Sequence, residues 1–214
     1  MTWDEYAAAW ARLHGGFDPR SASSVVRGWV RIAYRAGSWL GSRHIGPAAV
    51  TTAGLVLCLA VPAAVLPDRW GLLLAALLVL LAAFADGLDG AVAVITGKAS
   101  RLGYVYDSVA DRVGELAWLL AFWLVGATGL LVVAAGSASW LQEYMRARAT
   151  AAGMDEIGVV TVAERPRRVL TAIFGLLLGF FVPALITAAV AVWLALALIG
   201  LVQLSVAIRR RLDR

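Results

Sequence analysis

The run FADGLDGAVAVITGKASRLGYVYDSVADR (Phe84–Arg112) sets four aspartates, Asp86, Asp89, Asp107 and Asp111, inside an otherwise apolar part of the chain. WGLLLAALLVLLAA (70–83) precedes it and LAWLLAFWLV (116–125) follows it. The flanks read as membrane-spanning helices, since about 20 apolar residues cross a hydrocarbon core roughly 30 Å thick. The whole chain agrees: 61% of its 214 residues are hydrophobic and its mean hydropathy is +0.80, against about 45–50% apolar residues in ordinary soluble domains. The problem posed by Phe84–Arg112 is why a chain suited to lipid carries four carboxylates there.

Hydropathy predicts spans at roughly 48–66, 70–94, 103–125, 128–148, 169–185 and 187–208. Helices are expected, because a helix satisfies its own backbone polar groups in hydrocarbon. Arg27, Arg31, Arg35 and Arg43 precede the first span, and Lys98 and Arg101 lie between the second and third. Arg146, Arg148, Arg165, Arg167 and Arg168 lie between the fourth and fifth, and Arg209, Arg210, Arg211 and Arg214 close the chain. The other connections hold a single basic residue, Arg69. This asymmetry predicts a multi-pass protein of the cell (inner, cytoplasmic) membrane with both termini and the aspartates on the cytoplasmic side. The expected fold is an all-α integral membrane protein: residues 1–46 as a cytoplasmic or interfacial helical segment, residues 47–214 as a six-helix transmembrane catalytic domain. Within 23–44, Arg27, Arg31 and Arg35 recur every four residues with Val, Trp, Ile and Tyr between them. That is the pattern of an amphipathic helix lying against anionic headgroups.

The opening MTWDEYAAAWARLHGG has no apolar core of a secretory signal, and the lone Cys58 excludes an intramolecular disulfide. The net charge of +5 is explained by topology and does not indicate a nucleic-acid partner.

Asp86 and Asp89 are three residues apart, Asp107 and Asp111 four, so on helices each pair shares a face. Two facing helices therefore present four carboxylates to one point, at one depth below the cytoplasmic interface. Like charges so close repel, and divalent cations resolve the repulsion. An all-oxygen set without His or Cys suits Mg²⁺, Mn²⁺ or Ca²⁺ rather than zinc. Paired metals about 3.5–4 Å apart are common in phosphoryl transfer. Gly87, Gly90, Gly97 and Gly103 fit either close approach of a ligand or close helix packing. Glu115 joins the polar face or pairs with Arg112, and Gln142 and Glu143 are placed to meet the loop arginines.

Asp86, Asp89, Gly90 and Ala93, then eight residues after position 94, then Gly103, Asp107 and Asp111 resemble the motif of the CDP-alcohol phosphotransferases. Seven of its eight defining positions match, and IGPAAVT (45–51) resembles the start of that family's first span. Val94 departs from the motif, standing where the family has arginine, and Lys98 lies one turn further on. The resemblance implies two divalent cations, Mg²⁺ or Mn²⁺, held by Asp86, Asp89, Asp107 and Asp111. It implies Asp111 as the catalytic base, and a donor, CDP-diacylglycerol, beside Gly90, Ala93, Gly103 and Lys98. It also implies release of CMP, a phospholipid product, a small polar alcohol as acceptor, and a homodimer among membrane lipids.

The loop EYMRARATAAGMDEIGVVTVAERPRRV (143–169) is similar to that of the family's phosphatidylinositol-phosphate synthases. The similarity implies that Arg146, Arg148, Arg165 and Arg168 bind an acceptor phosphate. Inositol phosphate is the first acceptor on this reading and glycerol 3-phosphate the alternative. An inactive scaffold, motivated by Val94, and an ion transporter, motivated by intramembrane carboxylates, are the competing classes.

Overall fold

The computed structural model describes residues 1–13, 16–154 and 161–212. His14, part of the 143–169 loop and Arg214 therefore lie outside the described residues. Among the described residues the chain forms eight helices and no strand. They are α1 (Trp3–Leu13), α2 (Ser24–Ser42), α3 (Pro47–Ala64), α4 (Gly71–Thr96), α5 (Arg101–Leu124), α6 (Gly129–Ala151), α7 (Arg165–Phe181) and α8 (Ala184–Leu212). The six helices from α3 onward fall on the six apolar segments of the sequence. The fifth differs most, beginning four residues early at Arg165, because Pro166 suits the first turn of a helix. By length and composition, α3, α4 and α8 are apolar enough to cross a membrane. Helices α5 and α6, of 24 and 23 residues, are about 34 Å or more in length at 1.5 Å per residue, and charged side chains lower their hydropathy.

The helix ends follow local chemistry. Ser23 caps α2 by accepting from the Val26 N–H at 3.4 Å. Asp68 accepts from the Trp70 and Gly71 N–H groups at 2.9 and 3.3 Å, opening α4. Gly97, at φ +65, closes α4 in the left-handed region. Ser100 then accepts from the Gly103 N–H at 3.0 Å at the start of α5. Only four residues, 97–100, thus turn the chain from the first aspartate pair back towards the second.

The chain divides into two compact units, Met1–Val56 with Leu81–Asp111, and Leu57–Leu80 with Arg112–Arg214. In the first, Tyr6, Val30, Ala33 and Ala91 form a core joined by Trp3, Tyr34, Val94 and Ile95. A second cluster of Val50, Ala85, Leu88 and Val92 ties α3 to α4. The Tyr34 hydroxyl donates to the Met1 carbonyl at 2.9 Å, fastening α1 to α2, and burial pushes the Tyr6 phenol up to about 12.

Helix α2 carries three stripes. Val30 and Ala33 are buried; Trp29, Ile32 and Trp39 are exposed; Arg27, Arg31 and Arg35 are exposed on the remaining side. At 3.6 residues per turn these stripes lie about 120° apart. The apolar residues between the arginines thus split into a packing face and an outward face, a division that the four-residue spacing alone does not reveal.

In the second unit, α8 packs against α6 and α7. Trp118 and Trp193 meet edge to face at 6.4 Å between ring centroids, and the Trp193 indole N–H donates to the Ser139 hydroxyl at 3.0 Å. Ala149, Met154 and Leu204 are buried together.

Candidate active site

All four aspartates belong to the first unit. Oxygens of Asp86, Asp107 and Asp111 lie within 4.8 Å of one another, and all three side chains are half-buried. Two ionised carboxylates at that distance repel by about 3–4 kcal/mol at an effective dielectric near 20. A hard divalent cation offsets this repulsion, and three converging carboxylate oxygens are a donor set of the right chemistry for Mg²⁺ or Mn²⁺. The residues present therefore fit the metal that the motif implies.

Asp89 sits deeper, at 7% exposure. Its Oδ2 accepts from the hydroxyl of Thr51, a buried residue of α3, and it interacts with the Asp107 carboxyl group. Asp107 thus links the buried Asp89 to the other two half-buried aspartates, Asp86 and Asp111. Next to Asp89 and Asp107 is a pocket of about 230 Å³, lined also by Thr51, Gly90, Ala93, Val94, Lys98 and Gly103. The structure so brings every motif position proposed for the donor to one place. A Cβ built on Gly87 or Gly90 meets nothing within 4 Å. No side chain packs where those Cβ atoms would stand, and Gly90 lies on the pocket wall, where the absence of a side chain allows close approach of a ligand.

Thr51 is the residue that sequence reasoning missed. Its signal is the pair Thr51-Thr52 inside an apolar helix; the Thr52 hydroxyl also bonds the Tyr106 hydroxyl at 2.7 Å. A larger pocket in the second unit, about 730 Å³, is lined by Leu116, Leu119, Trp123, Val133 and Trp140 among others and carries no titratable side chain, so phosphate chemistry has no partner there.

The arginines assigned to the acceptor are in the second unit, together with three glutamates. Arg168, 2% exposed, reaches Glu115 Oε1 with Nε at 3.2 Å and donates from Nη2 to Glu143 Oε1 at 2.9 Å. Arg112 donates from Nη2 to Glu115 Oε1 at 3.0 Å and approaches Glu143 Oε1 with Nη1 at 3.3 Å. Arg146 donates to Glu164 Oε1 at 2.7 Å and lies 3.9 Å from Glu143 Oε2. Glu115 therefore pairs with Arg112, and Glu143 meets the arginines as its sequence position suggested. Gln142 instead donates to the Thr161 hydroxyl at 2.8 Å.

Burial raises the Glu164 carboxyl, but the Thr161 N–H and the Arg146 guanidinium outweigh it and hold the group below its usual 4.5. Arg148 is exposed and Arg165 half-buried. Two of the four proposed phosphate ligands, Arg146 and Arg168, thus already hold carboxylates of the chain itself.

The comparisons agree with this geometry. Residues 44–202 match the family model of the CDP-alcohol phosphatidyltransferases. The archaetidylinositol phosphate synthase of Pyrococcus horikoshii is 33% identical over 142 residues, 64% of this chain and 71% of that protein. The phosphatidylinositol phosphate synthase of Corynebacterium glutamicum is 37% identical over 123 residues, 53% of this chain and 54% of that one. The chain thus spans between about half and about seven-tenths of the length of these relatives. The fold resembles the crystal structure of Mycobacterium tuberculosis phosphatidylinositol phosphate synthase with CDP-DAG bound, with a TM-score of 0.71 at 22% identity, covering 84% of this chain and 94% of that one. The same enzyme in complex with manganese and citrate gives a TM-score of 0.70. With four aspartates on two helices, a glycine-walled pocket beside them and a family match across most of its length, the chain belongs to the CDP-alcohol phosphatidyltransferase family.

Proposed function

We propose that this chain is a divalent-metal-dependent phosphatidyltransferase that moves the phosphatidyl group of CDP-diacylglycerol to a hydroxyl of inositol phosphate and releases CMP. The observation that carries the reading is the convergence of Asp86, Asp107 and Asp111 within 4.8 Å, with Asp89 and the pocket beside them. Two divalent cations held by the four aspartates would neutralise the diphosphate and the departing CMP. Asp111 takes the proton of the acceptor hydroxyl on a carboxylate oxygen as attack proceeds. A bond forms between the acceptor's hydroxyl oxygen and the phosphatidyl phosphorus, and the bond from phosphorus to the CMP oxygen breaks, its electron pair leaving with CMP. Gly90, Ala93 and Gly103 let the donor approach the backbone. Lys98, exposed at the same pocket, takes the place of the arginine that Val94 replaces and faces the diphosphate.

The acceptor assignment is supported by the names of the relatives cited above, an archaetidylinositol phosphate synthase and a phosphatidylinositol phosphate synthase, and by the arginine-rich segment of the second unit. Arg146, Arg148, Arg165 and Arg168 are its candidate phosphate ligands, since guanidinium forks suit phosphate oxygens. In this reading α3 to α8 are six spans and α2 lies in the headgroup layer. Both termini and the aspartates face the cytoplasm, and the assembly is a homodimer.

The test is CMP release by the purified full chain in lipid nanodiscs with CDP-diacylglycerol and Mg²⁺ or Mn²⁺. Inositol phosphate should be turned over, and chelation with EDTA or Asp111→Asn should lower the rate by about a thousandfold or more, equivalent to about 4 kcal/mol. Undiminished turnover in EDTA overturns the reading.

A further inference from the structure

Glu143 holds an unusual position among the glutamates of the second unit. Guanidinium groups from three helices converge on its carboxylate: Arg168 of α7 at 2.9 Å, Arg112 of α5 at 3.3 Å and Arg146 of α6 at 3.9 Å. Its side chain is nevertheless 30% exposed, whereas those of Glu115 and Arg168 are both 2% exposed. The cluster therefore has a buried floor, the Arg168–Glu115–Arg112 chain, and two more accessible carboxylates, Glu143 and Glu164, of which Glu143 alone meets all three arginines among the described contacts.

The two carboxylates are not equivalent in what they hold. Glu115 Oε1 receives Arg112 Nη2 and Arg168 Nε and remains fixed by burial if Glu143 moves. Glu164 likewise keeps Arg146 through a 2.7 Å bond and is itself tied to the Thr161 N–H at 2.8 Å. Glu143 lies beside Nη2 of Arg168 and Nη1 of Arg112, and its movement toward solvent leaves those two guanidinium groups sharing the single carboxylate of Glu115. Three guanidinium groups that now meet one carboxylate are then short of an anion, and their donors suit a small, multiply charged oxyanion.

We propose that the Glu143 carboxylate stands in for the acceptor's phosphate, occupying the donors of Arg112, Arg146 and Arg168 until a phosphomonoester displaces it. This rests on the reading of a phosphate-bearing acceptor and deepens it, because it makes Glu143 a specificity-determining residue. A phosphomonoester carries about −1.5 to −2 charges at pH 7 and three acceptor oxygens, so it competes with a carboxylate for guanidinium donors. A neutral hydroxyl does not, and an alcohol without phosphate leaves Glu143 in place. Selection thus arises from what the incoming group must displace as well as from what it gains.

The experiment compares wild type with Glu143→Gln in the full chain in nanodiscs. Inorganic phosphate is the first probe, read as a shift in thermal unfolding midpoint and as a dissociation constant. The variant leaves Arg112 and Arg168 short of an anion, so it should unfold earlier without phosphate. It should bind phosphate about tenfold more tightly, one decade being about 1.4 kcal/mol. The KM for inositol phosphate should fall by a similar factor, with the KM for CDP-diacylglycerol unchanged. Glu143→Asp, which keeps the charge but draws it back by one methylene, should move both constants in the same direction and carries the test if the Gln variant does not fold.

Phosphate binding that is equal or weaker in the variants overturns the inference and makes Glu143 a structural tie. The acceptor reading then stands, provided wild type still prefers inositol phosphate. Wild-type turnover of free inositol as fast as of inositol phosphate overturns the acceptor reading, and the inference with it.

Discussion

The aspartate cluster of the first unit and the arginine–glutamate network of the second set charge into largely apolar helices in opposite ways. Around Asp86, Asp107 and Asp111, carboxylates gather with carboxylates. Around Arg168, each carboxylate is interleaved with guanidinium groups: Glu115 between Arg112 and Arg168, Glu143 among Arg112, Arg146 and Arg168. The first arrangement calls for a cation from outside the chain; the second supplies its own counter-charges. A gathered cluster is therefore a place for chemistry that uses metal, and an interleaved one is first a means of holding helices together. Glu143, half-buried, is the carboxylate of the second region that meets all three of Arg112, Arg146 and Arg168.

The largest effect that can break this comparison is on stability. Glu115→Gln removes one partner from a buried network and should cost about 3–5 kcal/mol, seen as a lowered thermal unfolding midpoint. Asp86→Asn, measured without divalent metal, should leave the midpoint unchanged or raise it, because it relieves repulsion among like charges. Equal losses from the two substitutions would mean that the clusters are not opposites.

The next effect sharpens the metal side. Thr51→Val deletes the hydroxyl that orients Asp89. Groups that orient metal ligands are worth about 10–100-fold in metal affinity, so Mn²⁺ titration should show a loss of that order, with Thr51→Ser restoring most of it. Unaltered Mn²⁺ affinity in the Val variant would remove Thr51 from the site.

The smallest effect separates two uses of glycine. A Cβ at Gly179 would collide with Ile186, whereas one at Gly87 would meet nothing within 4 Å. Gly179→Ala should destabilise by about 1–3 kcal/mol through overpacking, and Gly87→Ala should stabilise by up to about 1 kcal/mol through helix propensity. The same sign for both, in thermal unfolding, would erase the distinction.

Much of the site was legible in the sequence because its information is periodic. Intervals of three and four residues put Asp86 with Asp89, and Asp107 with Asp111, on shared helix faces whatever the rest of the chain does. Gly97 and Ser100 then set the turn that returns the second pair towards the first. The membrane character and the positions of α3 to α8 follow from apolar runs long enough to satisfy their backbones internally.

The partners of the polar side chains were decided by tertiary structure. Asp89 turns to Thr51, 38 residues away, while its neighbour Asp86 joins Asp107 and Asp111. Arg168 reaches Glu143, 25 residues away, and is 2% exposed, where its place in a basic loop suggested an open phosphate ligand. The three stripes of α2 likewise became distinct only once α1 and α4 covered one of them. Sequence spacing fixes which side chains share a helix face, because helical geometry is local. Which carboxylate meets which guanidinium, and which is left at the open edge, depends on how helices distant in sequence pack, and no periodicity encodes that.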